Sequence, residues 1–205
     1  MSARLKRNDV FINCPFDGGF KPIFNAIIFS VLDLGFVARC SLEEDDAAEF
    51  RLSKIERMIE KCRFGINDLS GVAIDPSTSL PRFNMPLELG LFLGCKRFGL
   101  PNQSKKRTLI LDSEPYRYRK FISDIGGQDI RSQGGDPERA VREVRDWLQA
   151  TSRRVGLAGG GEIAEHYRRF QRDLPSVCAR FALEPDRLTF LDLSATIADW
   201  LRTGR

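Results

Sequence analysis

Short apolar segments alternate along the chain with longer segments in which apolar residues recur every three or four positions. The short segments cover residues 8–14, 36–40, 64–68 and 108–111, and their length and composition are typical of β-strands. The longer segments cover residues 21–34, 52–62, 84–98 and 137–152, and their spacing predicts amphipathic helices. Strands that are apolar on both faces need helices on both sides. The alternation therefore predicts a doubly wound α/β fold around a mainly parallel sheet.

The handedness of crossover connections narrows the expected strand order. Right-handed crossovers between parallel strands favour a flavodoxin-like sheet with the order 2-1-3-4, and a fifth edge strand is expected within residues 125–132. Because doubly wound sheets commonly bind nucleotides where the strand order reverses, residues 1–153 are expected to form a nucleotide-binding α/β domain. The segment GLAGGGE, residues 156–162, has the composition of a linker, and residues 154–205 are predicted to form a small C-terminal helical appendage.

Composition and charge exclude several classes of protein. The chain is 42% hydrophobic and 29% charged, as globular domains are, and it contains no apolar run long enough to cross a membrane. We therefore expect a cytoplasmic protein with no membrane partner. The net charge of +4 comes mostly from runs of mixed sign, which suit small anions as well as nucleic acid; nucleic acid is the less expected partner but is not excluded. The 5 cysteines are scattered and there is 1 histidine, so free thiols and no metal site are expected.

Ligands of doubly wound sheets bind beyond the carboxyl ends of the strands, so the residues that follow each strand are the candidates for a site. Asn13 lies at the end of the first strand, and Phe16, Asp17 and Gly18 come after it. Arg39 and Asp68 lie at the ends of the second and third strands, Ser70 follows the third, and Arg51 precedes the second helix. Each has an ordinary alternative: Phe16 could cap the core, Gly18 could belong to a plain turn, and Arg51 could lie on an exposed helix face.

The helix over residues 84–98 carries the most unusual charge in the chain. Apolar residues occupy all its sides, which predicts burial, and Glu88 is the one charge within residues 85–93. Asn84 is the expected N-cap, which places Glu88 in the first turn, where the helix dipole stabilises a carboxylate. Gly90 and Gly94 are interpreted as positions of close packing against the sheet. Glu88 is then either a cleft residue or a simple complement to the helix N-terminus.

The segment NMPLELGLFLG, residues 84–94, resembles the E-x-G helix of nucleoside 2-deoxyribosyltransferases, and the order of elements over residues 8–111 is similar to that family and to TIR domains. In both groups a glutamate at the start of this helix attacks or stabilises the anomeric carbon of a ribosyl group. The resemblance implies that Glu88 is that glutamate. The segment FINCPFD, residues 11–17, resembles the family's first strand and its sugar- or base-binding loop, which implies that Phe16 and Asp17 lie in the cleft.

Cleavage of an N-glycosidic bond develops positive charge on the sugar, which a carboxylate stabilises. Glu88 could form a covalent ribosyl ester or act electrostatically, and Asp17 or Asp68 could orient the ribose or activate water. Asp68 could equally cap the turn that follows its strand. Asn13, Asn84, Arg39, Arg51 and Ser70 are the remaining candidates for binding the nucleotide.

The sequence therefore suggests an N-glycosidase that acts on NAD or a related nucleotide without a cofactor, similar to stand-alone bacterial domains that are often linked to anti-phage defence. Two alternatives remain open. The same cleft could sense a nucleotide without turnover, or the chain could be an interaction adaptor. A homo-oligomer, or a partner protein bound through the C-terminal helices, is expected because a neighbouring subunit can complete such a pocket.

Overall fold

A five-stranded parallel sheet lies at the centre of the molecule in the computed structural model, which describes residues 5–72, 74–75 and 79–203. The strands are β1 Lys6–Asn13, β2 Val37–Arg39, β3 Cys62–Asp68, β4 Ile74–Asp75, β5 Leu80–Pro81, β6 Arg107–Asp112 and β7 Ile130–Ser132. Strands β4 and β5 form a separate antiparallel ribbon. The other strands pair in the order β2-β1-β3-β6-β7, and every pair is parallel.

Six α-helices occur within the described residues: α1 Lys21–Asp33, α2 Arg51–Lys61, α3 Asn84–Phe98, α4 Pro137–Ser152, α5 Gly160–Arg180 and α6 Phe190–Thr203. Short 3-10 helices lie in the connections after α3, after β6 and before α6. None of the helices in the described part of the chain is long and apolar enough to cross a membrane.

The predicted α/β class and the parallel sheet are confirmed. The four predicted strands neighbour one another in the predicted order, and the additional edge strand β7 lies within residues 125–132. The bounds of α3 and α4 agree with the sequence pattern. Helix α1 ends one residue earlier than predicted, where Gly35 adopts a left-handed conformation with φ of 72°. The ribbon of β4 and β5 was not predicted, because its two-residue strands carry no periodic signal.

Alternate side chains of β1 point to opposite faces of the sheet, as the period of a strand requires. Val10 and Ile12 pack in one hydrophobic cluster with α1, α4, α5 and α6, whereas Phe11 packs with α2 and α3. Helices therefore cover both faces. The two C-terminal helices bury their apolar side chains in the same cluster as α1, where Phe29 stacks on Phe170 with ring centroids 5.3 Å apart. The division into domains after residue 153 stays a prediction.

Helix α3 differs from the sequence expectation in three ways. It is not buried all round, because one face packs on the sheet and the opposite face, with Leu87 55% exposed, points outward. Gly90 and Gly94 are not packing positions, since a Cβ at either would meet open space. Asn84 is the first helical residue; Phe83 occupies the N-cap without a side-chain hydrogen bond. Glu88 therefore lies in the second turn rather than the first.

The end of α2 also differs from the prediction. Cys62 continues the apolar spacing of the helix in sequence, but it is the first residue of β3, which follows α2 without a loop. At the start of α2, Leu52 belongs to the same predicted apolar face but is exposed. The buried face of α2 therefore consists of fewer residues than the spacing indicates.

Candidate functional site

The strand order reverses between β1 and β3, because the chain passes from β1 to β2 on one side and continues from β3 to β6 on the other. Such a reversal leaves a crevice at the carboxyl ends of the two strands. In this molecule a cavity of about 200 Å³ lies there. Its lining residues are Asn13, Cys14, Pro15, Phe16, Asp17, Arg51, Gly71, Arg82, Asn84, Met85 and Glu88.

Glu88 is the carboxylate on which the functional interpretation depends. Its residue is 7% exposed, its side chain lines the cavity, and within the described residues it has no hydrogen-bond or ion-pair partner. Burial raises the pKa of Glu88 to about 7, and the nearby positive charge of Arg51 opposes that rise. A carboxyl group with such a pKa changes its charge near neutral pH, as catalytic carboxyl groups often do.

Asn13 fixes the start of α3 relative to the sheet. Its side-chain nitrogen Nδ2 donates hydrogen bonds to Asn67 Oδ1 at 3.0 Å and to the Met85 carbonyl oxygen at 2.9 Å. Asn67 in turn donates to Thr108 Oγ1 at 2.9 Å, so the chain of hydrogen bonds crosses from β1 through β3 to β6. Asn13 thus lies in the predicted site, and its visible function there is to hold the first turn of α3 above β1.

The loop after β1 forms the wall of the cavity opposite α3. Asp17 Oδ1 accepts a hydrogen bond from the Phe20 amide at 3.0 Å, which closes the turn that leads into α1. The Phe16 ring packs edge-on against Phe24, with centroids 5.3 Å apart, and the residue stays 38% exposed. Arg51 lines the same cavity from the start of α2 and donates to Ser41 Oγ at 3.3 Å.

Asp68 and Ser70 lie at the same sheet edge but are not among the residues that line the cavity. The Asp68 side chain accepts hydrogen bonds from the Ser70 amide at 2.8 Å and from Gln133 Nε2 at 3.3 Å. Gln133 Nε2 also donates to Ser70 Oγ at 2.9 Å. Complete burial raises the pKa of Asp68 to about 6, although these hydrogen bonds oppose the rise. The geometry fits the structural alternative, in which Asp68 caps the turn after β3.

Arg39 also lies outside the residues that line the cavity. Its guanidinium forms ion pairs with Glu43 at 2.7 Å and with Asp9 at 3.6 Å. Cys14 lines the cavity, but burial is the main cause that raises the pKa of its thiol well above the ordinary value. A neutral buried thiol is a poor nucleophile. Among the described residues, no three His, Cys, Asp or Glu side chains are grouped closely enough to hold a metal ion.

Sequence reasoning missed Gly71 and Arg82. A Cβ at Gly71 would lie 2.5 Å from Pro15 Cγ and 2.7 Å from Met85 Cε, so glycine is needed where the loop after β3 meets the cavity. The signal was present in the sequence as a glycine three residues after the strand. Arg82 gave no such signal, because it precedes α3 in a segment without periodicity.

A second, larger cavity of about 390 Å³ also lies beyond the loop after β1 and was not predicted. It is lined by Phe16, Asp17, Gly18, Lys21, Phe24, Asn25, Leu42, Pro185, Leu188, Thr189, Phe190 and Leu193. Gly18, a predicted binding residue, lines this cavity and not the one around Glu88. The cavity depends on the return of the chain before α6 to the start of α1, which no local pattern encodes.

No sequence profile of a known protein family matches the chain, and no curated protein matches it either. The assignment of a function therefore depends on the geometry and chemistry of the cavity around Glu88.

Proposed function

We propose that this chain is an N-glycosidase that cleaves the N-glycosidic bond of NAD or a related nucleotide, with Glu88 as the catalytic carboxylate. The observation that supports the proposal is the largely buried Glu88 carboxyl group, which has no partner among the described residues and lies in a cavity at the point where the strand order reverses. The proposal includes a flavodoxin-like arrangement of the sheet, because flavodoxin-like sheets bind nucleotides at the point where the strand order reverses. The resemblance of residues 84–94 to deoxyribosyltransferases and TIR domains selects the same glutamate.

The reaction requires little more than one carboxylate when the leaving group is a pyridinium. As the bond between the ribose anomeric carbon and the pyridinium nitrogen breaks, its electron pair neutralises the ring, and nicotinamide leaves without protonation. The ionised Glu88 carboxylate either forms an ester with the anomeric carbon or stabilises its positive charge. Water then adds to the anomeric carbon and gives up a proton to the solvent, which yields the free ribose hydroxyl. Where an ester has formed, its bond to the anomeric carbon breaks in this step and restores the carboxylate.

The choice of NAD over a neutral nucleoside follows from the scarcity of acids around the cavity. A neutral purine or pyrimidine leaves readily only when a general acid protonates it. Among the described side chains of the lining, Asp17 is the one other carboxylate, and it closes the turn before α1. Asp68 is enclosed by Ser70 and Gln133. A substrate that already carries positive charge on its leaving group therefore suits this site best.

A nucleotide sensor without turnover is the second candidate. The support for it is that Asn84 and Arg51 line the cavity beside Glu88, so a ribose could be held through its hydroxyls and a phosphate through the guanidinium without any bond cleavage. For both candidate functions we expect the chain to assemble into a homo-oligomer. Analytical ultracentrifugation with and without nucleotide measures this assembly.

The test compares the purified protein with Glu88→Gln and with Glu56→Gln, a matched control on the exposed side of α2. Each protein is incubated with NAD, NADP and a panel of deoxynucleosides, and released base is measured by chromatography. We expect nicotinamide release that falls by about a hundredfold or more in Glu88→Gln and stays unchanged in Glu56→Gln. Because Glu88 must be ionised, the rate at low substrate should rise with pH through about 7.

The other outcomes separate the alternatives. Nucleotide binding without base release would overturn the glycosidase and support the sensor. Base release that survives in Glu88→Gln would remove Glu88 from the chemistry. Neither binding nor release, together with a stable complex formed through residues 154–205, would support the interaction adaptor.

A further inference from the structure

The two cavities at the end of β1 share two residues. Phe16 and Asp17 line both the cavity of about 200 Å³ around Glu88 and the larger cavity of about 390 Å³ beside it. The larger cavity lies between the start of α1 and the segment from Pro185 to Leu193, which leads into α6. The loop after β1 therefore borders both spaces, which places them next to each other at the end of this strand.

The walls of the larger cavity suit a planar aromatic group. Phe24 contacts Phe16 edge-on at 5.3 Å and lies 6.5 Å from Phe190, centroid to centroid. Leu188 and Leu193 complete an apolar wall on the side of α6. Cavities that bind cofactors combine such apolar walls with a few polar groups, and a base stacks on aromatic side chains.

Beside the boundary, where the acid Asp17 lines both cavities, the larger cavity offers an anionic group one cation and an open stretch of backbone. Lys21 lines the larger cavity at the first position of α1, where the helix dipole adds to its positive charge. Its ammonium group donates to the Asp186 carbonyl oxygen at 2.6 Å, which holds it beside the cavity without neutralising it. A Cβ at Gly18 would meet nothing within 4 Å, so the backbone there is open to a ligand that approaches closely.

We propose that the larger cavity binds the far base of a dinucleotide whose scissile ribose lies at Glu88, with the linking phosphates passing over Gly18 and Lys21. This inference rests on the proposed function and makes its substrate class a dinucleotide rather than a nucleoside or mononucleotide. The volume of the cavity around Glu88, about 200 Å³, is smaller than the roughly 300 to 1,000 Å³ of typical ligand sites. The C-terminal segment then forms part of the substrate site rather than a separate docking element.

Binding is tested in the Glu88→Gln protein, which leaves the ligand intact. Asn25→Trp and Leu42→Trp each place an indole in the larger cavity from a different element, α1 and the segment before α2. Leu191→Trp is the matched control, because Leu191 is exposed on α6 and does not line either cavity. Titration calorimetry measures the dissociation constants of NAD and of nicotinamide mononucleotide for each protein.

We expect both cavity substitutions to weaken NAD binding by about tenfold or more and to leave nicotinamide mononucleotide within about twofold. The control should change neither. Unchanged NAD affinity in the cavity variants, equal weakening of both ligands, or no NAD binding by the starting protein would overturn the proposal. If one tryptophan variant fails to fold, the other carries the test, because their positions lie on separate elements.

Failure of the subsite and failure of the proposed function give different results. If the unmodified protein releases nicotinamide from NAD while both cavity variants bind NAD normally, the dinucleotide subsite is wrong and the glycosidase stands. If the protein binds NAD, loses that binding in the cavity variants and never releases base, the subsite stands and the glycosidase is wrong.

Discussion

At the scale of single residues, the environment of Glu88 determines what it can do. The carboxyl group is largely removed from bulk water and forms no ion pair within the part of the chain that the structure describes, so its neutral form is favoured and its pKa rises to about 7. Arg51, which lines the same cavity, contributes positive charge that limits the rise. The group is therefore ionised in a substantial fraction of molecules at neutral pH, and its raised basicity favours the ionised form as a nucleophile.

The raised pKa of Glu88 predicts a pH-dependent effect of Glu88→Gln on stability. Between the unfolded value of 4.5 and about 7 the folded protein binds this proton more tightly than the unfolded chain does. Stability is therefore lost as pH rises through that window, and the loss is complete above it. Glutamine never ionises, so the free energy of unfolding of Glu88→Gln relative to the unmodified protein should increase by about 1 to 3 kcal/mol from pH 5 to pH 8.5.

Urea unfolding at the two pH values measures this difference. The exposed Glu56→Gln control should show no comparable change between them. A Glu88→Gln effect that is the same at both pH values would mean that Glu88 does not titrate in this range, and the electrostatic description of the site would be wrong.

At the scale of elements, the position of Glu88 depends on how α3 packs on the sheet. Phe92 lies one helical turn after Glu88 and packs directly over Gly65 of β3; a Cβ at Gly65 would be 2.6 Å from Phe92 Cε2. The hydrogen bond from Asn13 to the Met85 carbonyl holds the other end of the same segment. These two contacts set the height of the helix above the strands and so the depth of the carboxylate in its cavity.

Gly65→Ala is predicted to push α3 away from the sheet. Overpacking a close contact of this kind costs about 1 to 3 kcal/mol of unfolding free energy, and NAD affinity should fall because Glu88 moves with the helix. Phe92→Leu makes room for the new methyl group, so the double variant should be more stable than the two single effects added together. A double-mutant cycle by urea unfolding measures this coupling, and strict additivity would show that the contact does not limit the helix position.

Sequence patterns predicted the positions of the helices and strands better than they predicted which of their side chains are buried. Helix α3 begins at Asn84 as the pattern indicates, but periodicity could not show that Leu87 points outward, because apolar residues occupy every side of the helix. For α2 the spacing extended the helix face to Cys62, although that residue opens β3. Where a helix passes into a strand without a loop, the helical period of 3.6 residues and the strand period of 2 residues both fit the residues at the junction. The local pattern therefore cannot locate the end of the helix.

At the scale of the whole molecule, the rule that sites follow strand ends located the cavity but not all its members. Glu88, Asn13 and Asp17 line one cavity because strands β1 and β3 end at the same edge. Arg39 and Asp68 end strands β2 and β3, but other partners engage them, Glu43 for the first and Gln133 for the second. Glu43 lies four residues after Arg39, whereas Gln133 is distant in the chain, so the sequence gives no sign of that second contact. The larger cavity was missed for the same reason.

The C-terminal helices α5 and α6 pack into the hydrophobic core and are not attached only at its surface, so we expect them to unfold together with it. Phe170 of α5 is buried against Phe29 of α1 at 5.3 Å and against Trp200 of α6 at 5.8 Å. Phe170→Ala should lower the unfolding free energy of the whole chain by about 3 to 5 kcal/mol in one transition, because the cavity opens inside the cluster that also holds β1. Phe181→Ala, at an exposed position, should lower the unfolding free energy only slightly.

Urea unfolding followed by circular dichroism and by tryptophan fluorescence should give coincident curves. Two separate transitions, with the later one unshifted in Phe170→Ala, would mean that α5 and α6 fold as an independent unit.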